Sequence, residues 1–212
     1  AAYELAIHKL LDSGDAYWCG CSRSEMPASG LYPGTCRHGL PPGKTARSVR
    51  LRVSGEIIRF DDAIQGLVEE NLAETVGDFV IRRADGLAAY QLAVVVDDAF
   101  QGMTEVVRGA ELLDSTARQV YLQQLMGFKT PLYAHHPVIT DVKGRKLGKR
   151  YDSDPIKSLS PLQVLRRALV ALAQPCPALA DMDEIWHWAL RNWQLSRIPA
   201  VRELVLNPPE SE

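Results

Sequence analysis

Three cysteines stand close together in a stretch that cannot pack itself. Cys19, Cys21 and Cys36 fall within Tyr17 to about Leu40, a run rich in Cys, Gly, Ser and Pro. Such a run is loop-like and offers few apolar side chains to bury, so its shape has to be imposed by something else. A bound metal does this, because ligand binding supplies the folding free energy that a core otherwise would. The fourth cysteine, Cys176 between Pro175 and Pro177, reads as a small buried residue. A clustered odd set, in a chain with no charged–apolar–small-residue leader at its start, points to metal before disulfides. Structural zinc takes four ligands in a tetrahedron. Tyr32 and His38 are the fourth-ligand candidates near Cys36, and ligand chemistry alone favours the imidazole. The plainer alternative is three buried, reduced thiols.

Apolar residues make up 46% of the 212, enough for a core, yet no apolar run reaches the roughly 18 residues that a membrane helix needs. A cytoplasmic protein without membrane contact is expected. The net charge of −2 does not announce a polyanion binder, so any such contact would need a local basic patch.

At the start, Leu5, Ala6, Lys9 and Leu10 have helical spacing and Ser13-Gly14 ends the pattern. No N-cap and no initiator Met precede it, so the expectation is a segment missing in front, a processed or tagged terminus being the alternative. Arg47 to Phe60 alternates and predicts a half-buried hairpin turning at Ser54-Gly55. Asp78 to Arg83 predicts a strand, with a turn at Asp85-Gly86. Leu92 to Val96 (LAVVV) is continuous and apolar, which suits a strand buried on both faces of a parallel sheet. Glu105 to Arg108 predicts a second strand. Asp114 to Met126 predicts a helix capped by Asp114 or Ser115, with Ala117, Val120, Tyr121 and Leu125 as its apolar stripe and Gly127 as its stop. Strand then helix argues for an α/β fold. Ser160-Pro161 caps a further helix striped by Leu162, Leu165, Leu169 and Leu172. Asp183 to Trp193 predicts another, with Ile185, Trp186, Ala189 and Trp193 on or near one face. The acidic tail after Leu206 is expected to be disordered.

Two sets of residues suggest a ligand. Lys143 to Arg150 reads KGRKLGKR. Its glycines permit close backbone approach, and lysines at i and i+3 can address one triphosphate; a solvated loop is the alternative. Tyr90 is placed just before the apolar run, Asp97-Asp98 at its end, and Arg108-Gly109 at the end of the next strand, where open α/β sheets bind ligands. An arginine followed by glycine leaves room for a small carboxylate held by two hydrogen bonds. Pairing of Arg108 with Glu105 or Glu111 is the structural alternative.

The stretches YWCGCSR, YPGTCR, DFVIRRADGLAAYQLAVVVDDAFQGMTEVVRGAELLDSTARQ and GRKLGKR together resemble the glutamyl-queuosine-tRNA(Asp) synthetases, short paralogues of glutamyl-tRNA synthetase, over about residues 3 to 200. The resemblance implies a class I synthetase: an α/β, Rossmann-like catalytic domain, its N-terminal part missing, with a zinc-binding insertion and a C-terminal helical domain. The implied boundaries are 1–15 for a remnant of the first Rossmann half, 16–88 for the insertion, 89–152 for the second half and 153–212 for helices that meet the tRNA stem. It implies Cys19, Cys21, Tyr32 and Cys36 as zinc ligands, in place of His38. Tyr90 and Arg108 match the family's glutamate-binding residues. Lys146-Leu147-Gly148-Lys149-Arg150 matches the second class I signature, a K-M-S-K-S-like ATP loop, with Gly148 and Arg150 departing from its usual residues. The first signature, H-I-G-H-like, has no counterpart here.

What the resemblance implies about chemistry is activation of glutamate by ATP with Mg²⁺, without tRNA, then transfer of glutamate to queuosine in the anticodon loop of tRNA(Asp) by a monomer. Lys146 and Lys149 would offset phosphate charge, and Arg166, Arg167, Arg191 and Arg197 could face the stem or merely solvate their helices. The roughly sixty residues after the basic loop are few for a full glutamyl-tRNA synthetase. A truncated form of that enzyme and a non-catalytic zinc and tRNA-binding module are the competing readings.

Overall fold

The computed structural model describes residues 2–146, 159–178 and 181–205. The chain divides into two compact units, one of Ala1–Phe60, Leu67–Val106 and Asp114–Leu132, the other of Asp61–Gly66, Val107–Leu113 and Tyr133–Glu212.

In the first unit, helix α1 (Ala2–Asp12) buries Ala6, Ile7 and Leu10. Leu5 is exposed, so the inward stripe runs one residue out of phase with the expected one. Strands β1 (Ala16–Cys19), β2 (Ser48–Leu51) and β5 (Val80–Arg82) form a sheet of order β1–β2–β5, with β2 antiparallel to both neighbours. All of β2 is buried. The expected Arg47–Phe60 hairpin is not formed. After Leu51 the chain leaves this sheet, and β3 (Ile57–Asp62) joins a second sheet of order β4–β3–β7–β6. There β3 lies beside β4 (Gly66–Asn71), which leads into the short helix α2 (Leu72–Thr75). Strict alternation in β3 buries Ile58, Phe60 and Asp62, the period-2 signature of one covered face.

Leu92 to Val96 is not a strand. It lies inside helix α3 (Tyr90–Gln101), which ends at Gly102 in the left-handed conformation, φ 67°. The buried residues are Gln91, Leu92, Val95 and Val96, a spacing of 3.6 and not 2. A short apolar run is ambiguous alone; the glycine stop beyond it resolves the matter. Asp97, placed by sequence at a strand end, accepts the Tyr3 hydroxyl at both carboxylate oxygens, 2.7 and 2.8 Å, from α1. Helix α4 (Leu113–Met126) begins one residue before its expected cap, so Asp114 lies in the first turn. It buries Leu113, Ala117, Val120, Tyr121, Leu122 and Met126, and Gly127 at φ 71° stops it.

In the second unit, Asp62 at the end of β3 pairs in parallel with Tyr133 of β7 (Leu132–His136), and β7 neighbours β6 (Glu105–Gly109). Strands β8 (Val138–Thr140) and β9 (Glu203–Val205) form a parallel pair. Helix α5 (Pro161–Ala171) has the expected start: Ser160 and Gln163 form a capping box and Pro161 occupies the first turn. Leu169 packs against Ile185 and Ala189 of α6 (Met182–Asn192), joined by Leu162, Leu165 and Cys176. Asp181 caps α6 through the backbone N–H groups of Asp183 and Glu184. Trp186 and Trp193 are about half exposed, so they do not share the buried face with Ile185 and Ala189. The expected disorder after Leu206 lies outside the described residues.

Candidate functional site

The three clustered thiols converge in the first unit. Cys19, Cys21 and Cys36 present sulfurs within 4.8 Å of one another, with Cys21 and Cys36 3.7 Å apart. The Tyr32 hydroxyl lies 3.4 Å from the Cys19 sulfur and 3.5 Å from the Cys21 sulfur. His38 is exposed and outside this group. With zinc–sulfur bonds of about 2.3 Å, a tetrahedron spaces sulfurs about 3.8 Å apart, and an oxygen ligand at about 2.0 Å stands about 3.5 Å from them. The Cys21–Cys36 pair and the two phenol–sulfur distances match those spacings, and the third sulfur lies within 4.8 Å of the other two, so the group is shaped to hold one ion.

Several neighbours hold this arrangement. The Cys36 N–H donates to the Tyr32 hydroxyl oxygen at 2.9 Å. The Arg50 guanidinium lies over the Tyr32 ring, 3.8 Å from its centroid, and donates to the Asp78 carbonyl at 2.8 Å. Buried Asp78 accepts from the Tyr17 hydroxyl at 2.6 Å, from Arg37 at 2.9 Å and from the Val53 N–H at 2.8 Å. Burial pushes the Cys19 thiol up, but hydrogen bonds from the Tyr32 hydroxyl, the Cys21 N–H and Arg50 outweigh it and bring it down to about 7. Burial, then the Cys19 and Cys21 sulfurs, push the Tyr32 phenol up. It stays protonated beside a thiol poised to ionise. None of these supporting residues stood out in the sequence, because their partners are far along the chain.

Tyr90 also belongs to the first unit. It opens α3 and is about half exposed. Next to it, Gln91 donates to the Ser115 hydroxyl at 3.0 Å and accepts from Gln119 at 2.9 Å, so α4 fixes the turn that carries Tyr90.

Arg108 and Lys146 belong to the second unit. Arg108 sits near the carboxyl end of β6, as expected. Its Nε–H donates to His135 Nε2 at 2.9 Å, and its guanidinium lies 5.3 Å from the Tyr133 ring centroid. His135 Nδ1 meets Asp62 Oδ2 at 2.5 Å, both side chains being fully buried. Burial pushes the His135 pKa down, and Arg108 and His136 add to that, against the upward pull of Asp62. Burial alone would raise Asp62, but the Gln65 N–H, the His135 ring and N–H, and the Ile64 N–H together hold it below its usual range. Both directions describe one state, an ionised Asp62 beside a neutral imidazole. Lys146 pairs with the Glu111 carboxylate. A Cβ at Gly109 would fall on that carboxylate, so the space beside Gly109 is taken by Glu111. Lys149 lies outside the described residues.

Residues 41–174 match the model for class I tRNA synthetases (E and Q), catalytic domain. The fold agrees: a solved glutamate–tRNA synthetase from Elizabethkingia anophelis superposes with a TM-score of 0.73 at 22% identity, over 97% of this chain and 50% of that one. A second, from Elizabethkingia meningosepticum, gives 0.70 at 24% identity, over 94% of this chain and 49% of its own. The chain thus spans about half the length of these solved synthetases, and it carries a class I synthetase catalytic domain of mixed sheet and helices. Among curated relatives, a glutamyl-Q tRNA(Asp) synthetase from Aromatoleum aromaticum is 48% identical over 98% of this chain and 68% of its own length. One of the same name from Thiobacillus denitrificans is 47% identical over 93% and 69%. The chain belongs to this glutamyl-Q tRNA(Asp) synthetase family, a family of ligases. No helix among the described residues is long and apolar enough to cross a membrane.

Proposed function

We propose that the protein activates glutamate with ATP, without tRNA, and transfers it to queuosine in the anticodon loop of tRNA(Asp). The observation that carries this reading is the 48% identity along 98% of the chain to a relative of that name. A second relative of that name, 47% identical over 93% of the chain, favours it over a truncated glutamyl-tRNA synthetase.

In the first step a glutamate carboxylate oxygen attacks the α-phosphorus of ATP. The bond to the β,γ-phosphates breaks, leaving glutamyl-adenylate and pyrophosphate. No protein nucleophile is needed, so the residues act by positioning and charge. Arg108 holds a glutamate carboxylate and Tyr90 supplies a polar contact. Lys146, released from Glu111, and Lys149 offset phosphate charge alongside the Mg²⁺ that accompanies ATP. In the second step the adenylate passes glutamate to the queuosine base, and AMP leaves. Cys19, Cys21, Tyr32 and Cys36 would hold zinc, which supplies structure to the 16–88 insertion. The helices of 153–212, with Arg166, Arg167, Arg191 and Arg197, would face the tRNA stem.

The test uses the full-length product of the gene. Glutamate-dependent ATP–pyrophosphate exchange in the absence of tRNA, followed by labelled glutamate appearing on queuosine-bearing tRNA(Asp) and not on its unmodified form, is expected. Exchange with another amino acid, or charging of a tRNA 3′ end, would overturn the reading.

A further inference from the structure

Asp62 ends β3 with a carboxylate used on every side. Oδ1 accepts the backbone N–H groups of Ile64 at 3.0 Å, Gln65 at 2.8 Å and His135 at 3.1 Å, while Oδ2 meets His135 Nδ1. The other ring nitrogen, Nε2, receives the Arg108 Nε–H. An arginine N–H can only donate, so Nε2 must carry the lone pair. The single proton of the neutral ring then sits on Nδ1 and is donated to Asp62. The His135 ring stacks on Tyr133, centroids 5.9 Å apart, and the Arg108 guanidinium lies over that same Tyr133 ring. The Gln65 side-chain amide clamps the His135 carbonyl at 2.8 Å.

A fully buried carboxylate and imidazole are expensive to keep unless every polar atom is engaged, and a row of apolar side chains would serve β3 and β7 more cheaply. The structure assigns this expense to Arg108. We propose that Asp62 and His135 are positioning residues that fix the tautomer of His135, and through it the orientation of the Arg108 guanidinium that receives the amino acid. The relay draws on the ends of three neighbouring strands, β3, β7 and β6. The idea rests on the reading of Arg108 as the residue that holds glutamate. A protonated His135 would lose its acceptor and set two cations edge to edge, so only the neutral ring performs the task.

Two substitutions separate the halves of the relay. Asn places its amide near Nδ1, so His135→Asn keeps a donor for Asp62 but cannot reach Arg108. Gln extends to the position of Nε2, so His135→Gln keeps an acceptor for Arg108. In ATP–pyrophosphate exchange with the full-length protein, His135→Asn is expected to raise the KM for glutamate roughly tenfold or more, the usual scale for loss of an orienting partner, while the KM for ATP stays near wild type. His135→Gln should recover much of that loss. Equal glutamate KM values for wild type and His135→Asn overturn the proposal, provided Arg108→Ala abolishes glutamate-dependent exchange. If Arg108→Ala retains it, the reading of Arg108 itself has failed. Should the variants not fold, nitrogen NMR of the wild-type protein decides. A neutral ring protonated at Nδ1 near pH 7 is expected, and the Nε2-protonated tautomer or an imidazolium overturns the relay.

Discussion

The backbone N–H of Cys36 donates to the hydroxyl oxygen of Tyr32 at 2.9 Å, which ties the phenol to the residue that carries the third clustered thiol. The oxygen thus serves the protein before any metal is considered. Tyr32→Phe removes the acceptor and strands a buried N–H, at a cost of about 1–3 kcal/mol. If the phenol is also a ligand, the variant binds zinc more weakly as well. Chelator competition for zinc and thermal unfolding in excess chelator measure the two effects separately. An unchanged zinc affinity would remove Tyr32 from the ligand set.

Cys36 is completely buried, and serine is nearly its shape. Without a metal, Cys36→Ser should cost little beyond the weaker fit of a hydroxyl among sulfurs. With zinc, one of three thiolates is gone. The expected outcome is a zinc content well below one per chain by elemental analysis, together with a melting temperature lowered to that of the chelator-treated wild type. Equal zinc content in both proteins would refute the site.

Asp78 supports the same region with its carboxylate. Asp78→Ala leaves the Val53 N–H and the Tyr17 hydroxyl without their acceptor, and about 3 kcal/mol of stability should go with them. The Arg37 pair adds less, because Arg37 is 37% exposed and solvent screens it. Asp78→Asn keeps one acceptor oxygen and should lose about half as much. Urea midpoints at constant denaturant slope report both values.

The sequence made much of the chain's punctuation legible and little of its long-range pairing. Ser160-Pro161 and Gly127 mark helix ends by local chemistry, and both act as expected. The LAVVV run misled because five apolar residues, three of them β-branched, look alike in a buried strand and a buried helix. The hairpin expected at Ser54-Gly55 failed because alternation shows that a strand has two faces, not which sheet it joins. At the candidate sites, the three thiols lie close enough in sequence to be read as a group, but proximity leaves Tyr32 and His38 level as partners, ligand chemistry favours His38, and only the family resemblance points to Tyr32. Asp62 and His135, 73 residues apart, carry no local signal. Asp62 looks like one more acidic residue in a turn, and His135 like half of a surface pair.

Acid should erode stability across two windows, to each of which one of those two residues contributes. The His135 pKa is depressed by burial, so its contribution is fully present above the ordinary value of 6.5. It is lost as the pH falls below that value, because the unfolded ring takes up a proton that the folded ring refuses. The groups that face it include Asp62, Arg108 and His136 and the stacked Tyr133 ring. Asp62 is also depressed, so its share persists down to its ordinary value of 3.8 and is lost below it. Stability measured by urea from about pH 8 to pH 3 should fall across the upper window first. His135→Gln should flatten that upper window and leave the lower one in place. An unchanged upper slope would mean that other groups set it.

Glu111 stands between Gly109 and Lys146, so a substitution at Glu111 and one at Gly109 act on the same contact. Glu111→Gln removes the charge that holds Lys146. The pair is exposed on both sides, 57% and 42%, so stability should change by less than about 1 kcal/mol. A lysine no longer neutralised by a neighbour is freer to meet phosphate, so the KM for ATP in pyrophosphate exchange should fall. Gly109→Ala leaves the backbone at ease, because φ −70° and ψ 145° suit any residue. Its Cβ, however, occupies the place of the Glu111 carboxylate and pushes that side chain away. The two substitutions should therefore shift the KM for ATP in the same direction, and the double variant should add little to either alone, because both act by breaking one contact. Additive effects in the double variant would show that Gly109 matters for a different reason, the space it leaves beside Arg108.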